Sequence, residues 1–292
     1  MPSILITQCL QRDFVEPVEA HEPLPNRLHV GHQEALRLIG HDPLAGPVAQ
    51  VLRWARQQPA EELAILHVRD WHDATDQHQH DHLEMFGPHC LAGTPGAAVV
   101  LGFDRGVGGR PDEHFVDAVA LNDFEGTTLP RHLERIRQQA GGAPIRIGVI
   151  GVWTEAKVSF LLYDLKTRGH FDELATCSAL TASASRAQHF NALDQLRKIL
   201  GVRVFDSPGE FAEWLVPASA GQVGRGCRPI FRPQLEVVGG QAPLAEADVE
   251  VLGFLFRDSA RVDLEALSGG YSGALVFRAA ATDALGQSQA PS

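Results

Sequence analysis

Short apolar runs alternate along the chain with stretches whose apolar residues recur every three or four positions. SILIT (residues 3–7), LAILHVRD (63–70), HFVDAVAL (114–121), PIRIGVIGV (144–152), FDELATCSAL (171–180) and VRVFD (202–206) read as strands, and a further short strand is predicted near AAVVL (97–101). EALRLIG (34–40), GPVAQVLRWARQQ (46–58), LPRHLERIRQQAGG (129–142), the segment 155–168 and RAQHFNALDQLRKILG (186–201) carry helical spacing. The glycines at 141 and 142 suit a left-handed helix cap. Strand and helix in alternation predict an α/β fold, with a parallel sheet flanked by helices on both faces in three layers, α/β/α.

That array ends near Leu215, which sets a first domain at 1–215. The Gly- and Pro-dense stretch PASAGQVGRGCRP marks a linker over 216–233. Residues 234–280 read as a small β-rich appendage, with DVEVLGFLF (248–256) and GALVFRAA (273–280) taken as strands around the Gly-rich turn GGYSGALV. Residues 281–292 are predicted to be a disordered tail.

The formal charge of −11 argues against binding the phosphate backbone, so nucleic acid is not an expected partner. No apolar run approaches the ~20 residues of a membrane span. With no basic region or cleavage site near the start, a cytoplasmic location is expected. The four cysteines, Cys9, Cys90, Cys177 and Cys227, form no CxxC pair and read as reduced thiols, with Cys90 and Cys177 in apolar packing contexts.

The chemistry gathers in five segments: ILITQCLQRDFV, HVRDWHD, FGPHCLAGTPGA, LNDFEGTTL and GVWTEAKVSFLLYDLKTRG. In this order they resemble the isochorismatase-like superfamily of cysteine hydrolases, most closely its nicotinamidase branch, over residues 3 to 215. The resemblance implies the three-layer fold above and homo-oligomers that help close one another's sites. It also implies an aspartate, lysine and cysteine triad, whose positions fall here on Cys9, Ala118 (Val119 if the register slips by one) and Lys157. All three are substituted. An acyl-transfer hydrolase needs nucleophile, base and oxyanion donors together, so ordinary cysteine amidase activity is not expected.

The family's metal ligands do carry over, onto Asp70, His72 and His89. A carboxylate with two imidazoles suits a divalent zinc or iron ion with open positions. His78, His80 and His82 in DQHQHDH are each able to add a ligand, but taken singly they read as a solvated loop. Asp13 matches a position near the pocket entrance and reads as loop support, and Val152-Trp153 is where the family commonly has a cis peptide.

Lys157 sits at a strand-to-helix turn, where α/β enzymes place a nucleophile. Beside Cys9 it would either lower the thiol's pKa, or, desolvated, act as an amine nucleophile forming a Schiff base. The competing reading is an ion pair with Asp13, Asp70 or Glu155 that fills a dead pocket. The expected function is therefore an inactive scaffold that binds a small-molecule ligand or a protein partner. The alternative is a metal-assisted or altered-chemistry hydrolase using Cys9 and Lys157 on a small amide or N-heterocyclic substrate. GGYSGALV is also similar to the phosphate-covering loop of kinase-like and aminoglycoside-phosphotransferase-like folds. That leaves either a tight hairpin or a module within a longer chain or larger complex.

Overall fold

A computed structural model describes residues 2–19, 21–102, 110, 112–217, 223, 233–238, 244–256, 259–267, 276–283 and 288. Six strands, β1 (Ser3–Gln8), β2 (Leu63–Asp70), β3 (His114–Ala118), β4 (Arg146–Val152), β5 (Glu173–Ala182) and β6 (Arg203–Phe205), form one sheet in the order β3-β2-β1-β4-β5-β6. Every pairing in it is parallel. The period-2 alternation of each strand supplies two cores. Leu5, Ile65 and Ile150 face one side, against α1 (Arg12–Val15), α2 (His32–Ile39), α3 (Pro47–Gln57) and α8 (Pro208–Leu215). Ile4, Ile6, Leu66, Ile147 and Val149 face the other, against α5 (Leu129–Ala140), α6 (Ser159–Thr167) and α7 (Arg186–Leu200). Helix α5 ends on Gly141 in the left-handed conformation, φ 57°, as its glycines predict.

Two sequence expectations change here. AAVVL is not a strand: Pro95–Ala97 is a 3-10 turn and Val99 makes a single bridge to Gln11. The Val100 amide bonds the Leu10 carbonyl at 3.0 Å, so this apolar run closes the core as a loop instead of lengthening the sheet. DVEVLGFLF is not a strand either, but helix α9 (Glu246–Leu255). Strands β7 (Gln234–Val238) and β8 (Ser259–Ala266) are parallel, and a parallel pair needs a crossover element between them. Helix α9 is that crossover, and it lays Leu252 and Leu255 on the small core of Val262, Leu264, Ala279 and Ala281.

Strand β9 (Phe277–Asp283) completes the appendage antiparallel to β8. The expected tail therefore begins inside a strand, and Ser288 bridges back to Thr282. The Gly-rich turn at 269–275, most of the 216–233 linker and Cys227 lie outside the described residues. The appendage rests on the large domain through α7 and α9, with the Phe190 and Phe254 rings 6.0 Å apart. Among the described residues, no helix is long and apolar enough to cross a membrane.

Candidate functional site

Between β1 and β4 the strand order reverses, and the chain leaves these two strands toward opposite faces of the sheet. Such a switch point opens a crevice at the carboxyl ends of the strands. The chain places its polar residues there. Cys9 follows β1 with φ 51°, Asp70 closes β2, Ala118 closes β3 in register with Asp70, and Lys157 lies in a π-helical turn (Thr154–Val158) after β4. Gly151, φ +116°, permits the close approach of β4 to β1, since a Cβ there would stand 2.1 Å from the Gln8 carbonyl oxygen.

Lys157 Nζ donates to Asp123 Oδ1 at 2.6 Å and to the Ala120 carbonyl at 2.8 Å, and lies 3.1 Å from Asp70 Oδ1. These three acceptors match the three donors of an ammonium. The Cys9 thiol reaches the same Asp70 oxygen at 3.6 Å and accepts from Gln8 Nε2 at 3.2 Å. Cys9 and Lys157 thus meet on one carboxylate oxygen. The set is closed to solvent: Cys9 is 1%, Asp70 6%, Asp123 1% and Lys157 5% exposed.

Burial pushes the Cys9 thiol well up, Asp70 adds to that, and Lys157 only partly opposes it. Burial alone would pull the Lys157 amine down, but Asp123 and Asp70 hold it above its ordinary range, as ammonium. Burial lifts the Asp123 carboxyl to about 6 against the opposing pull of Lys157. For Asp70 the upward push of burial is overcome chiefly by the Lys157 ammonium, and it stays well below the usual carboxylate range.

The other candidates have structural partners. Asp13 Oδ2 accepts the Cys90 amide at 2.6 Å, and its carboxylate occupies the space a Cβ on Gly96 would need. Glu155 pairs with Ser183, so Asp70 is the one of the three anticipated anions that Lys157 reaches. The Val152-Trp153 peptide is cis. Gln11 clamps the end of β2, accepting from the Asp70 amide at 2.8 Å and donating to the Asp70 carbonyl at 2.6 Å.

On the far side of Asp70 stands a histidine cluster. Ligand nitrogens of His72, His82 and His89 all lie within 4.8 Å of one another, and Asp70 Oδ2 is 3.9 Å from His72 Nε2 and 3.7 Å from His89 Nε2. The Gln79 side-chain carbonyl takes His72 Nδ1 at 3.0 Å and the Gly87 carbonyl takes His89 Nδ1 at 2.7 Å. Each contact places the ring proton on Nδ1 and turns the Nε2 lone pair inward. The Nε2 atoms of His72 and His82 are buried without a hydrogen-bond partner. Burial, followed by the neighbouring His72, lowers His82 to about 4, so it is neutral at physiological pH. Inward-facing imidazole nitrogens beside an ionised carboxylate fit a divalent cation by their chemistry.

Sequence reasoning missed two members. Asp123 lies within the quoted LNDFEGTTL, and the signal for it was a buried cation at 157 in need of a second anion. His82 was grouped with His78 and His80 as a solvated run. His80 opens helix α4 (His80–Phe86), and from there His82 faces His72 at 4.9 Å between ring centroids.

These strand ends and this strand order define an isochorismatase-like α/β fold. Among solved structures, the chain is similar to the pyrazinamidase/nicotinamidase of Streptococcus mutans, with 22% identity and TM-score 0.54 over 70% of this chain and 99% of that one. An isochorismatase-like hydrolase of Alkaliphilus metalliredigens aligns with 19% identity and TM-score 0.56 over 73% and 99%. The N-carbamoylsarcosine amidase of Thermoplasma acidophilum aligns with 20% identity and TM-score 0.50 over 70% and 96%. No family model matches the sequence, and no curated protein matches it.

Proposed function

We propose that this protein is a non-hydrolysing relative of the isochorismatase-like hydrolases that binds a small ligand or a protein partner. The observation that carries the reading is the ammonium of Lys157, fully paired at 2.6, 2.8 and 3.1 Å where the fold's nucleophile is expected. A fully paired ammonium offers no lone pair to a carbonyl. The neutral, buried Cys9 thiol offers neither a thiolate nor a base. The Lys157 ammonium bonds Ala120, on the loop after Ala118, so positive charge reaches the cluster from β4 while the third triad position carries none.

In this reading His72, His82, His89 and Asp70 hold a divalent metal. Such an ion supplies Lewis acidity and a bound water of lowered pKa. The chain's own residues hold the lone pairs inward and keep the surroundings dry. A second reading, metal-assisted hydrolysis, is favoured by the unpartnered Nε2 atoms of His72 and His82.

The test is turnover of nicotinamide, pyrazinamide and other small amides by the full chain with zinc, iron(II) or a chelator. No product above the buffer rate is expected. Turnover lost in Cys9→Ala or Lys157→Ala would overturn the inactive reading. Turnover that needs metal and His72, yet survives both of those changes, would establish the second.

A further inference from the structure

Two features of the buried cluster are left unexplained by an inactive pocket. One ammonium, Lys157, faces two carboxylates, Asp70 and Asp123, so the group carries a formal charge of −1 with every member nearly closed to solvent. Uncompensated buried charge is costly. Directly beside it, His72 and His82 present Nε2 atoms with no hydrogen-bond partner. Asp70 joins these halves through its two oxygens. Oδ1 is held by Lys157 at 3.1 Å, whereas Oδ2 faces His89 at 3.7 Å and His72 at 3.9 Å, spacings too long for a hydrogen bond.

We propose that Lys157 sets the strength with which this site holds a divalent cation, because ammonium and cation draw on the same carboxylate, Asp70. The inference rests on the metal reading of the three histidines. A carboxylate already neutralised on one oxygen is a weaker ligand through the other, and the ammonium repels a dication across it. Lys157 thus acts as a positioning residue that keeps bound metal exchangeable. Coupling of this kind is reciprocal: whatever Lys157 takes from metal affinity, bound metal takes from the hold on Lys157.

The test compares wild type with Lys157→Met/Asp123→Asn, which leaves Asp70 as the cluster's one charge and so keeps the formal charge at −1. Zinc affinity of the full chain is read by competition with a chromophoric chelator at pH 7.5, with His72→Ala as control. The double variant is expected to bind zinc at least about tenfold more tightly, the scale on which residues behind a ligand act. Equal affinity within twofold, with both proteins binding and His72→Ala losing zinc, overturns this inference and leaves the metal reading standing. No zinc on either protein overturns both.

A wild-type measurement guards against a variant that fails to fold. The chain has three lysines, Lys157, Lys166 and Lys198. The latter two side chains are 34% and 74% exposed, so the Lys157 ammonium is the one whose 15Nζ resonance survives solvent exchange. Stoichiometric zinc should shift that resonance. If zinc binds and the resonance stays where it was, Lys157 and the cation do not share Asp70.

Discussion

Replacing Lys157 by methionine keeps most of the side chain's volume and removes its charge. At an effective dielectric of about 20, opposite charges at 2.6 and 3.1 Å attract by about 6 and about 5 kcal/mol. Most of that is offset by the cost of taking three charges out of water, so the net worth of the cluster is far smaller. Breaking it from one side is different, because it strands Asp123 and Asp70 unpaired. Lys157→Met should therefore cost about 3–5 kcal/mol. Asp123→Asn leaves the lysine its contacts with Asp70 and Ala120 and should cost about 1–3 kcal/mol. In the double variant the stranded Asp123 charge is gone, so the two losses should fall short of their sum by about 1–3 kcal/mol. Urea unfolding of all four proteins measures the cycle. Tryptophan fluorescence reports the large domain alone, since Trp54, Trp71, Trp153 and Trp214 all lie in it. Additivity within about 0.5 kcal/mol would refute the claim that these charges act as one unit.

With Cys9, Cys90 and Cys177 all buried and the first two thiols pushed up by burial, native protein at pH 7.5 should resist iodoacetamide at these positions. Mass-mapped labelling of Cys9 faster than free cysteine, lost in Lys157→Ala, would instead reveal an activated thiolate. Elsewhere in the fold, burial would raise Glu113, but hydrogen bonds from His67 at 2.5 Å and Arg56 at 2.9 Å hold it at about 2. Its pKa is depressed on folding, so its stabilisation is full above about pH 4.5 and fades toward pH 2. Glu113→Gln should therefore destabilise most at neutral pH and progressively less between pH 4.5 and 2; a constant deficit from pH 7 to 3 would contradict this. Gly151→Ala should lower stability by about 3 kcal/mol or more, because φ +116° and the Gln8 carbonyl both exclude a Cβ. A thermal midpoint equal to wild type would show that β1 and β4 can part at that point.

Local pattern was enough for the frame of the molecule. The six strands of the large sheet and most of its flanking helices follow from periodicity, because a sheet covered on both faces leaves its strands apolar throughout and its helices amphipathic. Asp70, His72 and His89 were singled out by a different route, the resemblance of HVRDWHD and FGPHC to the metal motif of the isochorismatase-like superfamily, which periodicity does not supply. Periodicity misled at residues 248–256, where Val249 and Val251 suggested a strand. The parallel pairing of β7 with β8 requires a crossover, and that pairing lies in no local window.

The character of Lys157 was likewise undetermined by the chain alone. An amine beside a thiol reads equally as a nucleophile, a thiolate partner or half of an ion pair, and burial with two carboxylates selects the last. Asp123 is 34 residues away in sequence and reaches the lysine only because β3 and β4 deliver their loops to the same end of the sheet. His82 differs from His78 and His80 only in the direction its helix turns it. The sequence by itself determined the six strands of the large sheet, most of the helices that flank it, their layering and the residue types available for chemistry. Tertiary structure alone decided which charges meet without water between them, and so which of those residues stay neutral and which stay charged.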